Sequence, residues 1–351
     1  MRIVHIVYGL PIGGIETMLV NIANIQAESG HDIHVIIINN IIDKSLLSRI
    51  DAKVSIHCMN RKKGSRNPHP ILKMNYKLWK IKPDVVHLHI SSISKYIFVP
   101  SIKRKLCTTL HSLCNEENTK NIKNSGPIFA ISNSVKYDLK EKLGLNAITV
   151  TNGIDLTQIS YKKKESLSSL TFNIVQVGRL NIQYKGQDIL IRAVDKIVKE
   201  GRQVRLTLIG DGKSRAELEE LVSELGLNSI VTFLGNQSQE YVLSHLSDYD
   251  LFVLPSRFEG FGLAVAEAMA IGVPVLVSDN DGPVDIIANG RYGYIFKREV
   301  WVECASSITK IMDEYPDEKF LSAARVRIEA NYTVQATAVR YLQMYEQCVV
   351  R

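Results

Sequence analysis

The chain of 351 residues is 45% hydrophobic and 23% charged, with a formal net charge of +7. This length exceeds one ordinary hydrophobic core and suits two α/β domains. No apolar run reaches the ~20 residues that a membrane helix needs, and the first residues read as a strand rather than a signal peptide, so we expect a cytoplasmic protein. Five widely spaced cysteines without a C-x-x-C pair argue against a disulfide framework or a zinc site.

Strands and helices alternate through the first half of the chain, a pattern typical of a parallel sheet covered by helices on both faces. Helical spacing of apolar residues predicts helices at 15–29, 67–82 and 134–143. Short apolar runs predict strands at 2–8, 34–38, 54–58, 84–89, 107–110, 128–131 and 147–150.

The alternation resumes after residue 171 and predicts a second sheet of the same kind. The predicted strands are 173–177, 205–209, 230–233, 251–254 and 275–277. The predicted helices are 186–200, 213–225, 239–246, 263–271, 301–315 and 333–348. Two Rossmann-like domains of the α/β class follow from this pattern.

A polar stretch without periodicity at 156–171 separates the two series of elements. We therefore predict an N-terminal domain over 1–160 and a C-terminal domain over 171–330. A final helical segment, 331–351, is expected to pack back on the N-terminal domain. Open parallel sheets bind ligands at the carboxyl ends of their strands, so a central cleft between the two domains is expected to hold the substrates.

Positive charge is concentrated in the first half of the chain. Residues 1–150 carry 21 Lys and Arg against 10 Asp and Glu, whereas the remainder has a net charge of −4. Two interpretations of this basic patch stay open: a face exposed to solvent, and a face that contacts an anionic membrane surface. No recognition motif for nucleic acid accompanies the patch. The basic residues that stand out are Arg61, Lys62, Lys63, Arg66, Lys103, Arg104 and Lys105.

The strongest motif lies between the predicted strand 251–254 and the predicted helix 263–271. A glycine-bearing turn into a helix N-terminus presents free backbone N–H groups to an anion. Two carboxylates eight positions apart can accept hydrogen bonds from hydroxyls on different parts of one extended ligand. A helix cap without a ligand would explain Glu259 but not Glu267. The residues of this motif are Glu259, Gly260, Phe261, Gly262, Leu263 and Glu267.

This segment resembles the E-x7-E signature of the retaining GT-B glycosyltransferases of family 4. The resemblance implies that Glu259 contacts the donor sugar and that Glu267 contacts the nucleotide ribose. It also implies that the N–H groups of the intervening turn bind the donor pyrophosphate. The fold implied is GT-B, in which two Rossmann-like domains face a central cleft, the first binding the acceptor and the second the nucleotide sugar.

A second motif, Gly178-Arg179-Leu180 followed by Lys185-Gly186, comes after the strand 173–177. A forked guanidinium and an ammonium at short spacing suit a diphosphate, although surface charge would explain either residue taken singly. The segment resembles the G-R-L…K-G motif of the same family, with a slightly longer spacer. The resemblance implies that Gly178, Arg179 and Lys185 bind the leaving diphosphate.

Gly13 and Gly14 open the first predicted helix. Two glycines let the backbone approach a phosphate closely, and the segment resembles the family's first-loop G-G-x-E. Glu16 of this motif is expected to be a helix-start residue. Gly210 and Leu234 follow two later strands, where this family places the nucleotide base.

His111 ends the predicted strand 107–110, and the family commonly has a histidine at this position, close to the donor sugar and the acceptor. We expect a catalytic role for His111, with a structural histidine as the alternative. His87 and His89 end the strand 84–89 near the same cleft and are further candidates.

Asp279-Asn280-Asp281 matches the D-x-D of metal-dependent GT-A transferases, in which carboxylates hold a divalent ion. Because Arg179 and Lys185 already supply positive charge, we interpret the segment as a turn and expect no metal and no other cofactor.

The function implied is retaining transfer of a sugar from a nucleoside-diphosphate sugar, with UDP-sugars favoured, to a saccharide or lipid-linked acceptor. Bacterial polysaccharide, lipopolysaccharide or glycolipid assembly is the expected setting, with the basic domain placed peripherally on the inner face of the membrane. Two alternatives stay open: a sugar-nucleotide epimerase of the same fold and a non-catalytic partner subunit.

Overall fold

A computed structural model describes residues 1–162 and 170–348, and for Asp281 it describes the backbone. Part of the predicted interdomain stretch, 163–169, and the last three residues of the predicted segment 331–351 lie outside this range. None of the described helices is long and apolar enough to cross a membrane.

The strands are short and mostly buried, as expected where both faces of a parallel sheet are covered. In order they are β1 (Arg2–Val7), β2 (Asp32–Asn39), β3 (Ser55–Arg61), β4 (Val85–Leu88), β5 (Leu106–Leu110), β6 (Ile128–Ala130), β7 (Ile148–Thr149), β8 (Phe172–Val177), β9 (Val204–Ile209), β10 (Val231–Gly235), β11 (Leu251–Leu254), β12 (Val275–Ser278) and β13 (Tyr294–Phe296).

The α-helices connect the strands and close the chain. They are α1 (Gly14–Glu28), α2 (Lys44–Ser48), α3 (His69–Ile81), α4 (Pro100–Lys103), α5 (Asn133–Leu143), α6 (Ile182–Lys185), α7 (Gln187–Lys199), α8 (Arg215–Glu224), α9 (Gln239–His245), α10 (Leu263–Ile271), α11 (Asp281–Ile286), α12 (Trp301–Asp313), α13 (Glu318–Asn331) and α14 (Val334–Cys348).

The first compact unit consists of Met1–Gly153 together with α14. Its seven strands are ordered β3-β2-β1-β4-β5-β6-β7, and every pair is parallel. Helix α14 packs against α1 and buries Tyr341 and Tyr345 almost completely. The strand order reverses between β1 and β4, so the loops after these two strands diverge and leave room for a ligand.

The second unit, Ile154–Tyr332, has six parallel strands in the order β10-β9-β8-β11-β12-β13. Here the reversal falls between β8 and β11. The predicted fold class is confirmed, because the chain forms two Rossmann-like parallel α/β units. The reversal brings together the loops that carry the two main sequence motifs.

The sequence patterns missed the short helices α6 and α11, the longer helix α13 and the strand β13 of the second unit. Helix α13 buries Leu321, Ala324 and Ile328 among a largely polar sequence, which gives a weak periodic signal. Strand β13 is only three residues long. The predicted turn at 279–281 needs correction, because Asn280 is the N-cap of a helix and Asp281 is the first residue of α11.

Candidate active site

Lys185 and Glu259 form an ion pair at the reversal point of the second sheet, through Nζ and Oε2. Their side chains are 25% and 15% exposed, so solvent reaches this pair only partly. Lys185 ends the short helix α6 after β8, and Glu259 lies in the loop after β11. The pair therefore joins the two sequence motifs at one edge of the sheet.

Gly186 brings α6 against the loop after β11. Its φ is +62°, and a Cβ built at this position would lie 2.1 Å from the carbonyl oxygen of Pro255. A side chain at residue 186 would therefore separate Lys185 from the loop that carries Glu259. The glycine of the predicted K-G pair is thus required by a close backbone approach.

Arg257 links the loop after β11 to helices α6 and α7. The sequence motif did not suggest this role. Its guanidinium donates to both carboxylate oxygens of Asp188 at 2.7 and 2.9 Å and to the carbonyl of Ile182 at 2.7 Å. The hydrogen bonds to Asp188 raise the pKa of Arg257. The backbone N–H groups of Arg257 and Phe258 donate to the carbonyl of Tyr184. The only sequence signal for this clamp was an acid in the first turn of α7.

The turn into α10 places backbone N–H groups beside this pair. Gly262 has φ +101° and is the N-cap, while Phe261 is buried and packs its ring edge-on to Tyr332 at 5.8 Å. A Cβ on Gly282 would lie 2.7 Å from the carbonyl carbon of Gly260, so two backbone segments touch here. The N–H groups of Val265 and Ala266 donate to the carbonyl of Gly262, whereas those of Leu263 and Ala264 have no acceptor within the helix and can receive an anion.

Glu267 lies one turn into α10 and accepts a hydrogen bond from Gln239 Nε2 at 3.1 Å. Burial raises the pKa of this carboxyl to about 7, and the hydrogen bond from Gln239 opposes the shift only in part. A ligand that offers hydroxyl donors would compensate the buried carboxylate. Glu267 is therefore suited to a polar ligand group.

Replacing Glu267 with glutamine should change how the free energy of unfolding depends on pH. The folded protein binds the proton more tightly than the unfolded chain, since the pKa rises from 4.5 to about 7. The destabilisation from ionising this carboxyl is thus absent below pH ~4.5 and complete above pH ~7. Glu267→Gln should match the wild type near pH 4.5 and be about 1–3 kcal/mol more stable near pH 8, measured by denaturant unfolding. A difference between the two proteins that does not vary with pH would contradict this prediction.

The D-x-D segment and the residue before it, Ser278, make hydrogen bonds that hold neighbouring loops in place. Asn280 Nδ2 and Ser278 Oγ both donate to the carbonyl of Ser256, the latter at 2.6 Å. Asp279 Oδ1 accepts from the backbone N–H of Arg298 at 2.8 Å. These contacts give Asp279 and Asn280 a structural role.

Glycines hold the loops after β8, β9 and β10 in backbone contact. Gly210 has φ +135°, and a Cβ there would lie 2.1 Å from the carbonyl oxygen of Gly178. The N–H of Gly210 donates to the carbonyl of Gly235 at 2.8 Å. Leu234 precedes Gly235 in β10 and is half-buried. Arg179 follows Gly178 with its side chain exposed, at the same edge as Lys185.

The first unit carries the other predicted residues. Gly13 is the N-cap of α1, and a Cβ there would lie 2.5 Å from Glu16 Oε2, so a side chain at 13 would displace this carboxylate. Gly14 is the first residue of α1. Beside them lies a cavity of about 360 Å³ at the carboxyl ends of the strands. Its lining includes Tyr8, Glu16, Asn39, Arg61, Lys63, Tyr96 and Glu117.

His111 ends a chain of hydrogen bonds that runs into the core of the first unit. Its Nε2 lies 3.1 Å from Nδ1 of His89, and Nε2 of His89 lies 3.1 Å from Nδ1 of His5. The chain ends at Gln26 Oε1, 2.8 Å from Nε2 of His5. Burial lowers the pKa of His111 and of His5 to about 4 and that of His89 well below its ordinary value, so all three are neutral at pH 7.

This chain determines which nitrogen of His111 carries the proton. A neutral imidazole has one donor and one acceptor nitrogen. With the Gln26 amide oriented so that its oxygen faces His5, this oxygen can only accept, so His5 must donate from Nε2 and accept at Nδ1. His89 and His111 must likewise donate from Nε2. Nδ1 of His89 accepts from His111, and Nδ1 of His111 is left as an acceptor that the chain of hydrogen bonds does not use.

Nitrogen-15 NMR of histidine-labelled protein at pH 7 should find His5, His89 and His111 all protonated at Nε2. The scalar couplings across the two N–H···N bonds should be observable. His89→Phe should abolish both couplings. The matched control is His87→Phe, because His87 is equally buried but bonds to Thr109 and Tyr345 instead. A proton on Nδ1 of His111 in the wild type would show that the chain runs in the opposite direction.

Two family models match the chain in succession. The model "Glycosyltransferase Family 4" matches residues 12–158, and "Glycosyl transferases group 1" matches residues 158–331. The chain belongs to this glycosyltransferase family, and the resemblance inferred from the motifs is confirmed.

Curated relatives are similar to the chain over different lengths. N-acetyl-alpha-D-glucosaminyl L-malate synthase of Bacillus anthracis is 28% identical over 318 residues, which are 81% of this chain and 80% of the relative. The capsular polysaccharide biosynthesis glycosyltransferase CapM of Staphylococcus aureus is 28% identical over 62% of this chain and 60% of its own length. The chain spans only 35% to 45% of two further relatives.

Solved structures resemble the chain along nearly its whole length. The crystal structure of Anabaena Alr3699/HepE in complex with UDP-glucose has a TM-score of 0.81 and 20% sequence identity, with 99% of this chain and 100% of that one covered. At this identity the likeness establishes the GT-B fold.

Proposed function

We propose that the protein transfers a sugar from a nucleoside-diphosphate sugar to a hydroxyl of an acceptor, with retention of the anomeric configuration. The observation that carries the proposal is the Lys185–Glu259 pair beside the N-terminus of α10. A cation, a carboxylate and free N–H groups at one sheet edge suit a ligand that combines a diphosphate with hydroxyls.

Each group has a distinct task in this reaction. Negative charge grows on the leaving diphosphate, and Arg179, Lys185 and the N–H groups at the start of α10 stabilise it. Glu259 orients the donor sugar through its hydroxyls, and Glu267 accepts from the ribose. The acceptor attacks from the face that the diphosphate leaves, and a phosphate oxygen takes the acceptor proton. Since fixed cations supply the charge, the reaction needs no metal ion.

His111 is proposed to accept a hydrogen bond from a substrate hydroxyl at its bare Nδ1. The acceptor is proposed to enter the cavity of the first unit, where Arg61 and Lys63 favour a saccharide bearing an anionic group. A UDP-sugar is the favoured donor, and bacterial polysaccharide assembly is the favoured setting, as in the name of the relative CapM.

A melting-temperature screen with UDP, GDP, ADP and their sugars tests the donor proposal. A ligand that binds the folded state raises the melting temperature by mass action. We expect a shift with one nucleotide class, and the same shift in EDTA as in magnesium. A protein that responds to none of these ligands would contradict the proposal.

Acceptor dependence separates transfer from epimerisation. Release of free nucleoside diphosphate should require an acceptor, and the new linkage should keep the anomeric configuration of the donor. Conversion of the nucleotide sugar without any acceptor would favour an epimerase.

A further inference from the structure

Helix α3 of the first unit has apolar side chains on two opposite sides. One side buries Ile71, Met74 and Leu78 against the sheet. The other side leaves Leu72, Tyr76 and Trp79 exposed by 56%, 61% and 58%. Soluble surfaces rarely group such large apolar side chains, so a cluster of them marks an interaction site.

Leu72, Tyr76 and Trp79 lie on one face of α3, because residues three and four positions apart are neighbours on a helix. The rings of Tyr76 and Trp79 are 6.0 Å apart. Phe98 is 53% exposed, and its backbone N–H donates to Asn75 Oδ1 at 2.8 Å, which ties the following segment to the helix. We name the group of Leu72, Tyr76, Trp79 and Phe98 the α3 face.

The part of the sequence that contains the α3 face is strongly basic. Residues 52–115 contain 13 Lys and Arg and a single acid, Asp84. Asp84 accepts from the backbone N–H of Arg2 at 2.7 Å. On α3 itself, Lys73 and Lys80 are exposed and Lys77 is half-buried. Further exposed cations from this region are Lys62, Lys63, Arg66, Lys82, Lys95, Lys103 and Arg104.

We infer that the α3 face docks the protein on an anionic lipid surface, with its aromatic rings at the level of the headgroups. Tyr and Trp favour this interface because one end of each ring is apolar and the other is polar. Lysines beside them keep their ammonium groups among the phosphates, each contributing about 1 kcal/mol. The exposed Leu72 favours acyl chains over a polynucleotide, which offers no aliphatic layer. This inference does not depend on the sugar transfer proposed for the second unit.

Tryptophan fluorescence tests the docking directly, because the chain has only two tryptophans. Trp301 lies in α12 of the second unit, so Trp301→Phe makes Trp79 the sole reporter. With vesicles of phosphatidylcholine and phosphatidylglycerol, the Trp79 emission should shift to the blue and be quenched by brominated acyl chains. Vesicles of phosphatidylcholine alone should have little effect. Binding without blue shift or quenching would overturn the inference.

Vesicle sedimentation of the full chain supplies matched variants. Tyr76→Ala combined with Trp79→Ala should weaken binding to anionic vesicles about tenfold or more. Tyr137→Ala is the control, because Tyr137 is 65% exposed on α5 of the same unit. Equal losses in the control, or tight binding of short duplex DNA or RNA without vesicle binding, would overturn the assignment to lipid.

Discussion

Alanine at Lys185 or at Glu259 is expected to lower kcat about 10²–10³-fold, and the double substitution should cost little more than either single one. The two side chains form one ion pair, so removing one partner leaves the other charge without its neighbour. Residues that act as one unit have strongly non-additive effects. The measurement is a double-mutant cycle on the release of nucleoside diphosphate.

Arg179→Ala combined with Glu259→Ala provides the comparison cycle. Within the described parts of the chain, no carboxylate pairs with Arg179, so its effect should add to that of Glu259. Melting temperatures of all variants should stay near the wild-type value, because these side chains are partly exposed. Additive effects of Lys185 and Glu259, or a near-wild-type rate in either single variant, would contradict their joint role.

Gly210→Ala is expected to lower the free energy of unfolding by about 3 kcal/mol or more. A φ of +135° is strained for any L-residue, and the new Cβ would overlap the carbonyl oxygen of Gly178 at 2.1 Å. The loops after β8 and β9 would have to separate. For a unit of this size, the melting temperature should fall by roughly 6–12 °C.

Gly226→Ala is the matched control for this prediction. Gly226 also has a positive φ, +70°, but no atom lies within 4 Å of a Cβ built there. Gly226→Ala should therefore lower the free energy of unfolding only by the cost of a positive φ, about 1–2 kcal/mol. If the two variants lost equal stability, the contact between Gly210 and Gly178 would not be a determinant of the fold.

Much of the second unit was predictable because its motifs are local in sequence. The strand before Glu259 and the helix after it have the boundaries that the apolar runs predict, 251–254 and 263–271. Glycines at the turn and at Gly186 mark backbone contacts that only glycine permits. The pairing of Lys185 with Glu259 follows from the strand order β8-β11, which joins residues 74 positions apart.

The histidine chain could not be predicted, because its members are distant in sequence. His5, His89 and His111 meet only because β1, β4 and β5 are neighbours in the sheet. The sequence pattern marks His87 and His89 alike, at the end of one predicted strand, and nothing in it marks His5. The structure separates the last two, since only His89 bonds to His111.

The exposure of apolar residues on the outer side of α3 could not be predicted from the sequence either, for a different reason. Its apolar periodicity predicts a helix at 67–82, but a pattern of apolar residues does not say which of them a sheet will cover. Leu72, Tyr76 and Trp79 therefore counted toward the same helix signal as the buried residues.

The central claim, that the edge of the second sheet holds a donor diphosphate, is tested most directly by calorimetric titration with UDP and UMP. UMP lacks the β-phosphate that Arg179 and Lys185 are proposed to bind. The wild type should bind UDP more tightly than UMP, and Arg179→Ala should reduce that preference about 10–100-fold, the value of a charged hydrogen bond. An unchanged preference in the variant, or equal affinities in the wild type, would contradict the account.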